Sequence, residues 1–158
     1  MRHNFHHNNL VGVCFEPQVL NDSAATGAAI VEPQHRGTDI TFILCAGDMA
    51  ATATGSGALQ GRLRSDGSTW EALTEYDGVT ALVFLASLFT ADSVLEDDVV
   101  IGTIPLDRID WDTYEAIRIV VTNAVAVAVT IGCCYVISGV RSVPSGQTDY
   151  LFAKCMPS

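Results

Sequence analysis

Apolar residues recur at every second position through several stretches of this chain, the spacing of a strand with one buried face. In Thr38–Cys45, Thr38, Ile40, Phe42 and Leu44 share one side; Asp39, Thr41 and Ile43 share the other, and Ile43 spoils the alternation. The first set is expected to face a core. In Leu59–Trp70, Leu59, Gly61, Leu63 and Ser65 stand opposite Gln60, Arg62 and Arg64. Asp66-Gly67 predicts a tight turn there, because Gly tolerates positive φ. Trp70 and Leu73 are expected to anchor the next segment on the core. Tyr114–Thr122 sets Ile117, Ile119 and Val121 against Ala116, Arg118 and Val120, and Asn123 reads as a turn or bulge. Ala124–Ile131 then puts Val125, Val127, Val129 and Ile131 on one face and Ala124, Ala126, Ala128 and Thr130 on the other. That alanine face would be flat, small and uncharged, suited to the close approach of another sheet or chain.

Weaker patterns fill the gaps. Residues 1–26 read as an irregular arm with Asn and His clusters and Pro17, although Leu10–Phe15 has the apolar content for a strand. Gly27–Val31 reads as a short first strand and Ala46–Gly57 as a loop of small residues. Thr80–Phe89 fits a short helix as well as a buried strand. Ala91–Asp98 reads as an acidic loop, Val99–Leu106 as a strand and Asp107–Asp112 as a turn. Strand character extends from Cys133 to Ile137, and Asp149–Pro157 carries an apolar cluster. The sum is seven or eight strands: an all-β, antiparallel β-sandwich of jelly-roll or immunoglobulin-like type, with extended N- and C-terminal arms. The expected division is an arm at 1–26, a sandwich at 27–144 and a tail at 145–158.

Composition narrows the function more than the fold. The chain has 158 residues, enough for one domain with a real core. Charged residues are 16% and hydrophobic ones 49%, which suits a protein that covers part of its surface with a partner. The net charge of −10, with Lys154 the single lysine, repels phosphate backbones and argues against nucleic acid. The longest apolar run, Ile119–Ile137, is interrupted by Thr122, Asn123, Thr130 and Gly132 and alternates like strand, so no membrane span is expected. The polar start of the chain lacks the apolar run of a signal peptide. Five cysteines (Cys14, Cys45, Cys133, Cys134, Cys155) make an odd set with no Cys-x-x-Cys spacing. They read as buried, reduced thiols.

Candidate chemistry is thin. His3, His6 and His7 lack a neighbouring Cys or carboxylate, and His35 has no base or nucleophile partner. Asp107, Asp110 and Asp112 resemble half of a calcium loop, interrupted by Pro105, Leu106 and Trp111; Glu115 is close in sequence, so a solvated acidic turn is expected, with weak calcium binding as the alternative. Asp92, Glu96, Asp97 and Asp98 read as a solvated surface. Ser56 and Ser65 have no histidine base, and no hydrolase, zincin or phosphate-loop motif occurs. No enzyme activity and no cofactor are expected. Trp70, Trp111, Tyr76 and Tyr114 are the candidates for a sugar-stacking platform, so a carbohydrate-binding or adhesion module is the alternative class.

Three blocks, Thr38–Cys45, Leu59–Trp70 and Tyr114–Ile131, together resemble a family of small structural proteins of tailed bacteriophages and prophages. Such proteins carry an early strand of small residues, Ile and a Thr/Ser-hydrophobe pair, matched here by Gly27–Val31 and Asp39–Leu44. A Gly/Thr-rich loop leads to a Leu-Gln-x-Ser-Asp-Gly-x-Thr-Trp hairpin, matched by Leu59–Trp70 with extra residues between Gln60 and Ser65. Tyr114–Thr122 and Ala124–Ile131 match the later strands, and Gly139–Pro144 the Arg/Pro-containing end. The resemblance spans residues 27–144; the long arm and the Asp149–Ser158 tail depart from it. It implies a virion component made in the host cytoplasm, a head decoration or cement protein. Such a protein binds the major capsid protein on the capsid exterior and braces capsomer joints. A head–tail or tail accessory is a variant. A homo-oligomer, dimer or trimer, is expected, with no direct nucleic acid or membrane partner. The expected assembly contacts are Leu10, Val11, Phe15, Ala124, Ala126, Ala128, Tyr150 and Phe152.

Overall fold

The computed structural model describes residues 10–47, 54–75, 77–80, 82, 89–90 and 98–139, with the backbone alone at 54–55, 89–90 and 98–100. Ten strands follow in chain order: β1 (Leu10–Leu20), β2 (Ser23–Thr26), β3 (Ile30–Val31), β4 (Asp39–Gly47), β5 (Thr54–Leu63), β6 (Trp70–Ala72), β7 (Phe89–Thr90), β8 (Asp98–Pro105), β9 (Tyr114–Asn123) and β10 (Val129–Ser138). They form two antiparallel sheets. Sheet one has the order β1-β10-β4-β8; sheet two has the order β2-β9-β5-β6, with β3 added on β9 and β7 on β5. Short 3₁₀ turns at Pro33–His35 and Leu106–Arg108 complete the described elements.

The pairings are nested. β1 pairs with β10, β2 with β9, β4 with β8 and β5 with β6, all antiparallel. This is one long hairpin rolled up so that β10 also meets β4 and β9 also meets β5. The chain changes sheet at six of its nine connections, with β1–β10, β2–β9 and β4–β8 nested, which is the jelly-roll arrangement and excludes the immunoglobulin-like one.

The core lies between the sheets. Ile40, Phe42 and Leu44 of β4 are wholly buried, as are Ile117, Ile119 and Val121 of β9, as their alternation predicts. Ile131 and Ile137 of β10 and Leu59 of β5 close the same cluster. At one end Tyr114 fills the space over Gly61, where a Cβ would collide with the Tyr114 ring and lie 2.8 Å from Leu73. Tyr114 opposes Leu63 and Ala116 opposes Arg62, so Glu115 is the extra residue of a bulge that turns Tyr114 inward. Asp66-Gly67 forms the expected turn, with Gly67 at φ +64°.

Several expectations are corrected. Most of the segment expected as an arm is sheet: β1 and β2 occupy residues 10–20 and 23–26. Its period is hidden because β1 changes register twice, between Val13 and Phe15 and between Phe15 and Gln18. Phe15, expected at an assembly contact, is buried in the core. Gly27–Val31 is strand only at Ile30–Val31, and the Ala46–Gly57 loop is shorter than expected, since β4 runs to Gly47 and β5 starts at Thr54. Trp70 does not enter the core; it is half-exposed on the outer side of sheet two, while Leu73 is buried as expected. Cys14 and Cys133 are buried, Cys134 is half-buried and Cys45 is exposed, all four as free thiols. Residues 91–97 of the acidic loop, residues 140–158 and most of Thr80–Phe89 lie outside the described residues, and Asp98 begins β8.

The largest correction is at residues 124–128. They are not strand but the corner that carries the chain from β9 in sheet two to β10 in sheet one. Asn123, fully buried, holds this corner. Its side-chain NH₂ donates to the carbonyls of Leu20 (3.0 Å) and Val127 (2.7 Å), and its Oδ1 accepts the Val125 N–H at 3.3 Å. The Val125 carbonyl accepts the Asp22 N–H. Three backbone groups, two of them in the corner itself, are thus bonded to one amide. Replacing Asn123 with Ala strands the Val125 N–H and the Val127 carbonyl, and unsatisfied groups cost about 1–3 kcal/mol each, so Asn123→Ala is expected to lower stability by about 2–6 kcal/mol. Urea unfolding followed by circular dichroism measures this; a loss below about 0.5 kcal/mol contradicts the corner's role.

Candidate functional site

The two outer faces of the sandwich differ in chemistry. On sheet two the outward side carries Val31 and Val120 but also a cluster of paired polar residues. The Arg118 guanidinium lies 4.1 Å above the Trp70 ring, with Arg62 at 5.6 Å. Arg118 donates to Gln60 at 2.8 Å, Arg62 meets Glu115 at 2.7 Å and Arg64 meets Glu32 at 3.0 Å. This is a solvated face whose charges neutralise one another.

Sheet one is different. The 38 residues of its four strands include only three charged ones, Glu16, Asp39 and Asp98. Strand register places Val13, Cys134, Ile43 and Ile101 side by side in one outward row. The next row is Val11, Val136, Thr41 and Thr103, with the two threonine hydroxyls 2.8 Å apart. Seven large apolar side chains are exposed among the described residues, and five stand on this sheet: Leu10, Val11 (65%), Val13 (59%), Val19 and Ile101 (62%). Single exposed apolar residues need no explanation; a contiguous uncharged band is a candidate contact surface.

The expected contact residues divide against this surface. Leu10 and Val11 are exposed on β1, at the free edge of sheet one. Phe15 is inside. Ala124, Ala126 and Ala128 are exposed, but on the corner loop, so they form no flat sheet face. Tyr150 and Phe152 lie outside the described residues. Sequence reading missed Val13, Cys134, Ile43 and Ile101 as a group. The available signal was Ile43 itself: an apolar residue on the wrong parity of a strand marks a sheet with two apolar faces.

The other candidate residues are structural in this fold. Trp111 is buried and its indole N–H donates to the Leu106 carbonyl at 2.7 Å. Tyr114 is buried and donates to Glu71 at 3.0 Å; burial raises its phenol above the ordinary range. A hydrogen bond with Cys14 and burial push the Cys133 thiol far up, and burial raises Cys134, so both stay protonated at neutral pH. Arg62 and Arg64 pair with acids, as above. A shallow cavity of about 140 Å³ lies between Gly37–Asp39 and Pro105–Asp107, smaller than the usual small-molecule pocket. Among the described residues no three His, Cys, Asp or Glu side chains are grouped to hold a metal ion.

The aspartates have another use, which sequence reading did not identify. Asp66, Asp77 and Asp110 each begin an Asp-x-x-Thr turn. In the first, Oδ1 accepts the N–H of Ser68 and Thr69 (both 2.9 Å) and Oδ2 accepts the Thr69 hydroxyl. In the second, Asp77 does the same for Val79, Thr80 and the Thr80 hydroxyl. In the third, Asp110 accepts the Asp112 N–H at 3.0 Å and the Thr113 hydroxyl at 2.9 Å. Both Asp110 oxygens are thereby engaged within the turn, so the aspartates at 107, 110 and 112 do not converge as a calcium loop would require.

No family model matches the chain, and no curated protein matches it. Among solved structures it is similar to a chain from the structure of the infectious bursal disease virus Gt strain: 10% identity, TM-score 0.45, covering 82% of this chain. This chain spans 32% of that viral chain's length. A chain of the Gx strain of the same virus gives 10% identity and a TM-score of 0.41, covering 83% of this chain and 32% of that one. The CBM22-1 xylan-binding domain of Xyn10C from Paenibacillus barcinonensis gives 8% identity and a TM-score of 0.42, covering 84% of this chain and 83% of that one. Likenesses this distant assign no function; the sandwich rests on the strand pairing described above.

Hydrogen bonds to the ionised carboxylate, the Thr69 hydroxyl first, lower the Asp66 pKa from 3.8 to about 2. A depressed carboxylate stabilises the fold above its unfolded pKa, and that contribution is lost as pH falls through the folded value. The 66–69 turn is therefore expected to be intact at neutral pH and to loosen as pH drops from 3.8 toward about 2. Amide exchange at Ser68 and Thr69 reads this directly. In Asp66→Asn the acid-dependent step should vanish; a wild-type-like pH profile in that variant disproves the assignment.

Proposed function

We propose that this chain is a virion structural protein of the decoration or cement type, which docks on the exterior of an assembled capsid and braces joints between capsomers. The observation that carries the reading is the uncharged outward band of sheet one, Val13–Cys134–Ile43–Ile101 with Val11 and Val136 beside it. A band of this kind stabilises a complex by leaving water, and its low charge spares the desolvation that charged groups would cost. Its partner is the major capsid protein. A lattice offers many copies of one docking site, so a modest contact per subunit suffices for tight coverage. The rigid jelly roll presents the band without loops that would have to be ordered on binding.

The carbohydrate-binding reading requires an aromatic ring open to stack on a sugar. Trp111 and Tyr114 are buried, and an arginine lies over Trp70. Tyr76 is outside the described residues. The surface therefore favours protein docking over sugar stacking.

The test uses the full chain, tagged and produced alongside the virus that carries its gene, with particles separated on a density gradient. The chain is expected to sediment with DNA-filled heads in a fixed ratio to the major capsid protein. Val13→Lys with Ile43→Lys, which places two charges on the band, should lower that occupancy at least tenfold with unchanged circular dichroism. Sedimentation with isolated tails would transfer the reading to a tail accessory. A chain that stays in the soluble fraction, and whose tryptophan fluorescence responds to xylo-oligosaccharides, overturns it in favour of a carbohydrate-binding module.

A further inference from the structure

The four sheet edges are unequally protected. An open edge offers a row of unpaired backbone N–H and C=O groups, and proteins block such rows with charge, proline, bulges or shortness. β1 has all but the last: Glu16, Pro17 and two register breaks against β10. β2 has four residues and β6 three. β8 carries a charge and a proline only at its two ends, Asp98 and Pro105. Its eight residues run in unbroken register with β4, from Asp39 opposite Pro105 to Ala46 opposite Asp98. Val99–Ile104 contains no charge and no proline. Among the described residues no strand pairs with its outer side.

We propose that β8 is the seam of a twofold-symmetric homodimer, pairing antiparallel with β8 of a second copy so that two four-stranded sheets become one of eight strands. Three features select a second copy. The chain carries −10 charges, so much of its surface repels another copy; Val99–Ile104 is a stretch of edge that itself carries no charge, with its acids confined to the ends. An isologous contact needs only one self-compatible strand, and antiparallel pairing of a strand with itself supplies the twofold. The outward residues described on this strand, Ile101 and Thr103, are β-branched and pair well across strands.

The register follows from the faces. Both copies must keep their buried face on the same side, so only positions of equal parity can stand opposite each other. Centring on Ile101 places the two isoleucines directly opposite and Thr103 opposite residue 99. Centring on Gly102 would oppose two glycines and forfeit that contact. With Ile101 at the seam, the row Val13–Cys134–Ile43–Ile101 continues as its own mirror in the second copy. The apolar band thus doubles in width. This deepens the docking reading but does not depend on it, because dimerisation is read on the isolated chain without capsid.

Eight-residue edges make a small interface, so the dimer is expected at about 100 µM chain and dissociation below about 1 µM. Sedimentation velocity and light scattering on the full chain measure this. Ile101→Lys should give a monomer at every concentration with an unchanged melting temperature, since the side chain is exposed. Ile43→Lys, on β4 and one strand in from the seam, should leave the dimer intact. In Ile101→Cys, diamide should join the two thiols in one S–S bond, the azo group taking up both protons and both electrons. Wild-type chain treated alike sets the background. A monomer at about 100 µM overturns the proposal. So does dimerisation of Ile101→Lys, or a dimer that Ile43→Lys breaks and Ile101→Cys fails to crosslink, which is the signature of face-to-face packing.

Discussion

Two sheets that must bury their inner faces against each other set every other feature of this protein. Ile40, Phe42 and Leu44 from β4 meet Ile117, Ile119 and Val121 from β9, and none of the six retains solvent contact. Side chains alternate strictly along a strand, so fixing which half points inward also fixes which half is offered to the surroundings. On sheet two that second half is Gln60, Arg62, Arg118 and their partners. On sheet one it is Val11, Val13, Ile43, Cys134 and Ile101. The difference between the faces follows from residue choice at positions that packing left free.

The rolled hairpin imposes a second constraint. Pairing β1 with β10 joins the two ends of the described chain, and each change of sheet needs a corner where ladder hydrogen bonds cannot continue. Two devices serve these corners and turns. Asn123 satisfies three backbone groups at the β9–β10 crossing. The Asp-x-x-Thr turns at Asp66, Asp77 and Asp110 fold a carboxylate back onto the following amides. The acidic character of the chain is therefore partly architectural. Carboxylates that a sequence presents as candidate ligands are accepting hydrogen bonds from their own turns.

Legibility followed regularity. β4 was readable because its buried half alternates without interruption, β9 because it does so from Ile117 onward, and the Asp66-Gly67 turn because its glycine takes positive φ. β1 was not, because two register breaks shift its facing residues out of period. Nor was the start of β5, where Gly55, Ser56 and Gly57 have loop composition yet pair with β9. Ala124–Ala128 failed in the opposite direction: its alternation is genuine in sequence, but the chain must leave one sheet and enter the other there. The apolar band was half legible. Leu10 and Val11 stood out by composition; Cys134 and Ile101 became neighbours of Val13 and Ile43 only through cross-strand register.

What the amino-acid sequence determined unaided was class and balance: an all-β domain, the inward faces of its regular strands, its tight turns and an acidic, lysine-poor surface. These depend on neighbours one to four residues apart, where backbone sterics and side-chain period act directly. The tertiary structure alone decided jelly roll over immunoglobulin-like order, the burial of Phe15, the corner at Asn123 and the assembly of one apolar row from four distant strands. Each of these depends on which strands lie side by side, and that pairing is a property of the whole folded chain rather than of any segment of it.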